Sequence, residues 1–515
     1  MRVPRPGGPT DEVEYPMARP LAHPRNRRLR ALAVPLGLAL TATTGFLGAL
    51  PDAAGAAPQD SGPLLSYVVN TAPGHATVDK VEQAIVRAGG KVITAHERIG
   101  VIVAHSANPR FAATLRTVAG VQSAGATRTA PLKQSGTTDF GKPQRLTAAQ
   151  LAAAERTAKA KGEEPLEPLQ WDIRAIKADR AAKVNPGSPK VTVAVIDTGV
   201  DDTHPDLKPN FSARQSANCV GGVPDTSPGA WRPYDPVGDA HGTHVAGTIA
   251  AARNGIGVTG VAPGVKVSAI KVSEPKTSFF YAESVVCAFV FAADHGVQVT
   301  NNSYYVDPWM FNCKDDADQA AIIDAVGRAA KYAQDKGVVN VAAAGNANSD
   351  LGADKLTDAS SPNDSTPVSR ALSPKTCWDV PTQLPGTVTV AATGSHGLKS
   401  GYSNYGLGQI DVAAPGGDAK QVPELPAKNG NVLSTIPGGD WAFYAGTSMA
   451  SPHVAGVAAL LKSTHPKASP QEIQWLLKEQ ADNPGCPAGD ATCTGTPQVN
   501  SHFGYGIVNA LKAVK

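Results

Sequence analysis

The sequence predicts an α/β protein: a mostly parallel sheet with helices on both faces, preceded by a small α+β domain. Three observations carry this. Four continuous apolar runs, Val191 to Ile196, Val265 to Val272, Val297 to Thr300 and Val338 to Ala343, lie in the C-terminal part of the chain. Helical stretches separate them, roughly Thr243 to Ala252, Tyr281 to His295 and Asp316 to Lys336. Strands that are apolar on both faces and alternate with helices belong to a parallel sheet covered on both sides. Upstream, residues 57–131 follow the order β-α-β-β-α-β, the split βαβ pattern.

The chain begins with a targeting pattern. Arg25, Arg27, Arg28 and Arg30 precede the apolar run Ala31 to Leu50, and the small residues Ala53-Ala54-Gly55-Ala56-Ala57 follow. A basic stretch, an apolar stretch and an A-x-A site predict a secretory signal over residues 1–56, cleaved after Ala56. The basic residues lie far from Met1, so Met17 is a second possible start. A membrane anchor is the competing reading, but Pro35, Gly37 and Gly45 interrupt the run. Arg27-Arg28 leaves twin-arginine export open beside the general route.

In the small domain, Leu64 to Val69 reads as a strand, and Val78, Val81 and Ile85 fall at helical spacing after Thr77, a candidate N-cap. Gly89-Gly90 ends that helix. Val92 to Thr94 and Ile99 to Val103 are strands, and Asn108-Pro109 opens a helix carrying Phe111, Leu115 and Val118. A last strand covers Val121 to Ala124. Residues 132–168 read as a linker, with an Ala-, Lys- and Glu-rich surface helix from Leu146 to Lys161. The larger domain spans 169–515.

Composition limits the functional classes. The chain has 515 residues, room for roughly two to four domains. Its formal charge of +3 gives no reason to expect a nucleic-acid partner. All six cysteines, Cys219, Cys287, Cys313, Cys377, Cys486 and Cys493, lie in the C-terminal part, and export permits disulfides. Cys486 and Cys493 flank a short Pro/Gly loop and are expected to pair; Cys287, in an apolar helical stretch, could equally be a buried thiol.

Three motifs carry chemistry. Val193-Ala194-Val195-Ile196-Asp197-Thr198-Gly199 puts a carboxylate just past the C-terminal end of a buried strand, the edge of an α/β sheet where sites form. His241-Gly242-Thr243-His244-Val245-Ala246-Gly247 places His241 where a helix begins. Gly446-Thr447-Ser448-Met449-Ala450-Ser451-Pro452 places Ser448 at the start of another, where free N–H groups meet a developing anion. A serine hydroxyl needs a base, imidazole titrates in the right range, and a carboxylate on the far ring nitrogen fixes the tautomer and stabilises the imidazolium.

In order and residue type these motifs resemble those of the subtilisin-like serine proteases, the subtilase family, from about Gln170 to Lys515. The resemblance implies a subtilisin-like fold and a catalytic triad of Asp197, His241 and Ser448, with His244 a packed helix residue. Ala343-Ala344-Gly345-Asn346 resembles the family's oxyanion motif, so Asn346 would donate to the tetrahedral oxyanion together with the Ser448 amide. Ser303, Tyr304 and Gly345 fall on the walls of the primary specificity cleft. There the family usually shows Ser-Leu-Gly, and this chain has Asn302-Ser303-Tyr304-Tyr305. A long stretch, Asn348 to Cys377, should reshape the other wall. The small domain resembles the family's inhibitory propeptide, a ferredoxin-like fold that acts as an intramolecular inhibitor.

The resemblance also implies a structural calcium ion. His204-Pro205-Asp206-Leu207 matches the segment whose aspartate ligates it, Asn254 stands at a ligand position of the Ala252 to Val258 loop, and Gln170 adds an oxygen. The expected protein is therefore a secreted, autoprocessed serine endopeptidase acting as a monomer on proteins or peptides. The alternative is an inert pseudoprotease that binds proteins.

Overall fold

The computed structural model describes residues 62–132, 143–236 and 238–515. The expected signal peptide and residues 133–142 of the expected linker lie outside them. All described residues belong to one unit, Pro58–Lys515.

Seven parallel strands form the main sheet among the described residues. From edge to edge they are Val412–Pro415, Thr387–Thr393, Val339–Ala343, Val299–Asn302, Thr192–Asp197, Lys266–Lys271 and Ala217–Asn218. The first strand in sequence, Thr192–Asp197, is interior. The next two lie on one side of it and the remaining four on the other. The winding therefore reverses between Thr192–Asp197 and Val299–Asn302, which opens a crevice at their carboxyl ends.

Alternation along the central strand explains the two helical layers. Val193 and Val195 join an apolar cluster with Ile249 and Val454, on the helices His241–Ala250 and Thr447–Thr464. Ala194 and Ile196 point the other way, into a cluster with Phe289 and Ile322, on Ala282–Asp294 and Ala317–Asp335. Each fully buried Val, Ile or Phe contributes about 1.5–3 kcal/mol, so a strand buried on both faces is held in register by every side chain.

The small domain is a four-stranded antiparallel sheet, ordered Gly90–His96, Val101–Ser106, Leu65–Thr71, Val121–Ala126. Its own helices, His75–Arg87 and Phe111–Leu115, cover one face, where Val69, Ile85, Ile102 and Phe111 pack. Val68 and Val101 point to the other face and join the peptidase-side cluster with Val285 and Ile322. That face lies on the Ala282–Asp294 and Ala317–Asp335 helices. Asn70 Nδ2 donates to the Ala321 carbonyl at 3.0 Å, and Ser123 Oγ donates to Asp324 at 2.9 Å. The first helix starts at His75, two residues before the candidate cap Thr77, because Gly74 supplies the turn at φ 116°.

The stretch expected as a linker is built into the larger domain. Gln144–Arg145 pairs with the strand Asp440–Tyr444. The helix Ala148–Lys161 opens on a Thr147/Gln150 capping box and closes on Gly162 in the left-handed region. Ala154, Leu166 and Leu169 are buried against Ala251, Val258, Leu433 and Phe443. Three disulfides join Cys219–Cys287, Cys313–Cys377 and Cys486–Cys493. The last is the expected pair, and Cys287 is bonded rather than free.

Candidate active site

Asp197 and Ser303 occupy equivalent places at the ends of neighbouring strands, one residue beyond the paired Ile196 and Asn302. His241 is the first residue of its helix, and its Nδ1 lies 2.8 Å from Asp197 Oδ1. The carboxylate makes that nitrogen the protonated one and leaves Nε2 as the basic position. The same Oδ1 accepts the Thr198 amide at 2.7 Å, and Thr198 Oγ1 accepts the Gly242 amide at 3.0 Å, so loop and helix start are tied together. A β-carbon at Gly242 would stand 2.3 Å from the Gly199 carbonyl and 3.1 Å from Asp197 Cβ, so only glycine admits this approach. His244, one helical turn along, is fully buried. Its Nε2 donates to the Val432 and Ala442 carbonyls, and burial pulls its pKa down to about 3. It is a neutral packing residue.

Ser448 is the second residue of the helix Thr447–Thr464. Pro452 lies in that helix and has no N–H, so the Ser448 carbonyl, four residues back, lacks its usual donor. Ser303 supplies it: Ser303 Oγ donates to that carbonyl at 3.1 Å, while Ser448 Oγ donates to the Ser303 carbonyl at 3.3 Å. The helix that carries Ser448 is thereby fastened to the strand end beside Asp197.

Asn346 lies three residues past the strand Val339–Ala343. Its Oδ1 accepts the Thr447 amide at 2.9 Å and the Thr447 hydroxyl at 2.8 Å. This leaves Nδ2 as the outward donor. A β-carbon at Gly446 would stand 3.6 Å from both Asn346 Nδ2 and the Ser448 amide nitrogen, so the two donors border one space. Gly345, at φ 96°, donates its N–H to Thr447 Oγ1 at 3.1 Å.

Beside Ser448 a cavity of about 390 Å³ opens, and the three residues expected on the cleft walls, Ser303, Tyr304 and Gly345, all line it. Tyr304 stacks on Phe280, with ring centroids 4.8 Å apart, and donates to Asn302 at 2.9 Å. Sequence reasoning missed the acidic groups that also line the cavity. Asp307 is held by the Phe280 amide and Asn363 Nδ2, and burial raises its pKa to about 7. Burial also raises the Asp379 pKa well above its ordinary value, against a hydrogen bond from Thr382. Asn363 comes from the Asn348 to Cys377 stretch, the one signal in the sequence that this wall is unusual.

The residues expected to hold calcium do not fit it. Asp206 Oδ2 accepts the Trp441 indole N–H at 2.8 Å and the Val258 amide at 3.0 Å. Asn254 Oδ1 accepts the Ile256 amide, and Gln170 Oε1 the Thr259 amide. Of the side-chain oxygens of these three residues, only Asp206 Oδ1 lacks a hydrogen-bond partner among the described residues. A hard cation takes six to eight oxygens and no N–H donors. Carboxylates instead hold the loop: Glu164 accepts the Asn254 and Gly255 amides, and Glu167 pairs with Arg253.

A family model described as the subtilase family, of peptidases, matches residues 188–506. M-protease of Shouchella clausii (strain KSM-K16) is 33% identical over 347 residues, covering 67% of this chain and 70% of that protein. Subtilisin Savinase of Lederbergia lenta is 32% identical over 347 residues, 67% of this chain and 99% of that one. Fervidolysin of Fervidobacterium pennivorans is 31% identical over 341 residues, and the match spans only 42% of its length. Among solved structures, the epidermin leader peptide processing serine protease (EpiP) from Staphylococcus aureus superposes with a TM-score of 0.63 at 25% identity. That match covers 88% of this chain and 98% of that one.

Proposed function

The chain belongs to the subtilase family and is a serine-type endopeptidase, and from that premise we propose that it is secreted and made as a precursor that processes itself through Asp197, His241 and Ser448. One observation carries the assignment: the 2.8 Å contact between His241 Nδ1 and Asp197 Oδ1, at the strand edge where Ser448 opens its helix. Ser448 Oγ attacks the peptide carbonyl as His241 Nε2 takes its proton, and Asp197 stabilises the imidazolium. The carbonyl oxygen, now an oxyanion, accepts from Asn346 Nδ2 and the Ser448 amide. His241 then protonates the leaving amine, and water activated by His241 releases the acyl group from Ser448. Calcium has no step here.

The small domain is the proposed inhibitor. Its last described residues dock on residues adjacent in sequence to the cavity lining. Arg128 is buried between Glu283 and Glu274, its guanidinium 3.8 Å from the centroid of the Tyr281 ring. The Thr129 and Ala130 amides donate to Asp364. Tyr281 follows Phe280, and Asp364 follows Asn363; both preceding residues line the cavity. Residues 143–168 belong to the mature enzyme in this proposal, because their buried leucines and Glu164 and Glu167 support the peptidase. The processing junction then lies upstream of Pro143. Export is supported by the basic and apolar leader pattern and by the disulfides.

Ser448→Ala should abolish casein hydrolysis and labelling by a fluorophosphonate, and should accumulate the uncleaved precursor. Normal processing by that variant would remove Ser448 from the mechanism. Sequencing the secreted wild-type N-terminus tests the junction.

A further inference from the structure

The cavity beside Ser448 holds acceptors without donors to match them. Asp379 is 3% exposed, and its Oδ1 has no hydrogen-bond partner. It borders the oxyanion wall: a β-carbon at Gly345 would stand 3.6 Å from Asp379 Oδ2. Asn363 spends its Nδ2 on Tyr305 and Asp307, and its Oδ1 is likewise buried without a partner. No lysine, arginine or histidine is among the lining residues. The walls between mouth and floor are aromatic, Phe280 and Tyr304 stacked together.

We infer that this cavity receives a cationic side chain, arginine or lysine, from the residue that supplies the scissile carbonyl, with Asp379 as the specificity-determining counter-charge. The inference rests on the proposed triad, since the cavity opens beside Ser448. A guanidinium or ammonium brings donors to the two buried oxygens that lack them, and its stem packs along the rings. Burial holds the Asp379 carboxyl neutral while the cavity is empty, and an incoming cation favours its ionised form, whereas a carboxylate side chain would add further acceptors to a site that already has unpaired ones. An aliphatic one would leave Asp379 Oδ1 unpaired, and sites built around a buried polar partner discriminate strongly against ligands that lack it. Elsewhere the docked small domain already shows this enzyme's way with a guanidinium: Arg128 lies between two glutamates on Tyr281, the residue after the cavity-lining Phe280.

The test uses the mature enzyme and tetrapeptide anilides that differ only in the acyl-side residue. Wild type should cleave the arginine or lysine substrate with kcat/KM at least about tenfold above leucine or phenylalanine, and about 10³-fold above glutamate. Asp379→Asn should lower the arginine-to-leucine ratio by about 30-fold or more. Equal or better cleavage after leucine or phenylalanine by wild type, or a ratio within about threefold of wild type in the variant, would overturn the inference. Should Asp379→Asn not fold, benzamidine against neutral benzamide on wild type decides. Benzamidine should compete at least about tenfold more tightly, and equal inhibition sinks the idea. A preparation that cleaves none of the substrates and takes no fluorophosphonate label instead contradicts the triad, so the two failures are distinguishable.

Discussion

Arg128→Ala should loosen the small domain more than any other single change at its docking face. The guanidinium and the Glu283 carboxylate are 3% and 0% exposed and 2.5 Å apart, while Glu274, 3.1 Å away, is 18% exposed. Burial alone would raise the Glu283 pKa, but the Arg128 charge, with hydrogen bonds from its own backbone, Arg128 and Thr127, holds the carboxyl below its ordinary value. Removing Arg128 leaves that charge desolvated and unpaired, at a cost of about 3–5 kcal/mol. The native pair itself is worth less, since burial already penalises both ions. The assay is hydrogen exchange on the Ser448→Ala precursor, which in the proposed mechanism cannot cut itself, following peptides that cover residues 127–132 and the Ala282–Asp294 helix. If undocking is the opening that exposes these amides, 3–5 kcal/mol converts to about 10²- to 10⁴-fold faster exchange. Arg128→Lys keeps the charge but loses the planar fork and stacking, and should fall between the two. Glu274→Gln should change little, since a part-exposed pair is worth about 0–1 kcal/mol. Acceleration of under about threefold in Arg128→Ala would refute the reasoning, because no buried charge could then have been stranded.

Three further outcomes are expected. Asn346→Ala should lower kcat by about 10²–10³ with little change in KM, since in the proposed mechanism its amide acts on the oxyanion and not on the ground state; a loss within threefold in steady-state kinetics contradicts the donor role. His244 has a folded pKa of about 3 against about 6.5 unfolded, so the unfolded state takes up the proton first. Its contribution is complete above pH 6.5 and declines as pH falls toward 3, by up to about 1.4 kcal/mol per unit. Denaturant unfolding of the Ser448→Ala protein should show that slope, and His244→Gln should flatten it. Trp441→Phe removes a donor from Asp206 and should cost about 1–3 kcal/mol, while EDTA should leave the melting temperature of wild type unchanged; a large EDTA effect would restore calcium to this loop.

Some of this architecture was legible because its signals are local. The buried strand ending in Asp197 and the helix starts at His241 and Ser448 each lie within a few residues of sequence. The strand Thr387–Thr393 carries an equally plain Thr-Val-Thr-Val alternation and belongs with the four read from sequence. Residues 143–168 read as a linker because their polar composition hides how few leucines and glutamates need burial to make a segment structural.

By itself the sequence determined where the candidate reacting groups stand, since a hydroxyl at a helix start and a carboxylate at a strand end are properties of short segments. Only the tertiary structure decided what surrounds them. Trp441 reaches Asp206 across 235 residues and Arg128 reaches Glu283 across 155. Asp379 acquires its unpaired oxygen only where the chain's turns wall off the cavity. Desolvation and hydrogen-bond competition depend on every neighbour in space, and no local pattern along the chain encodes them.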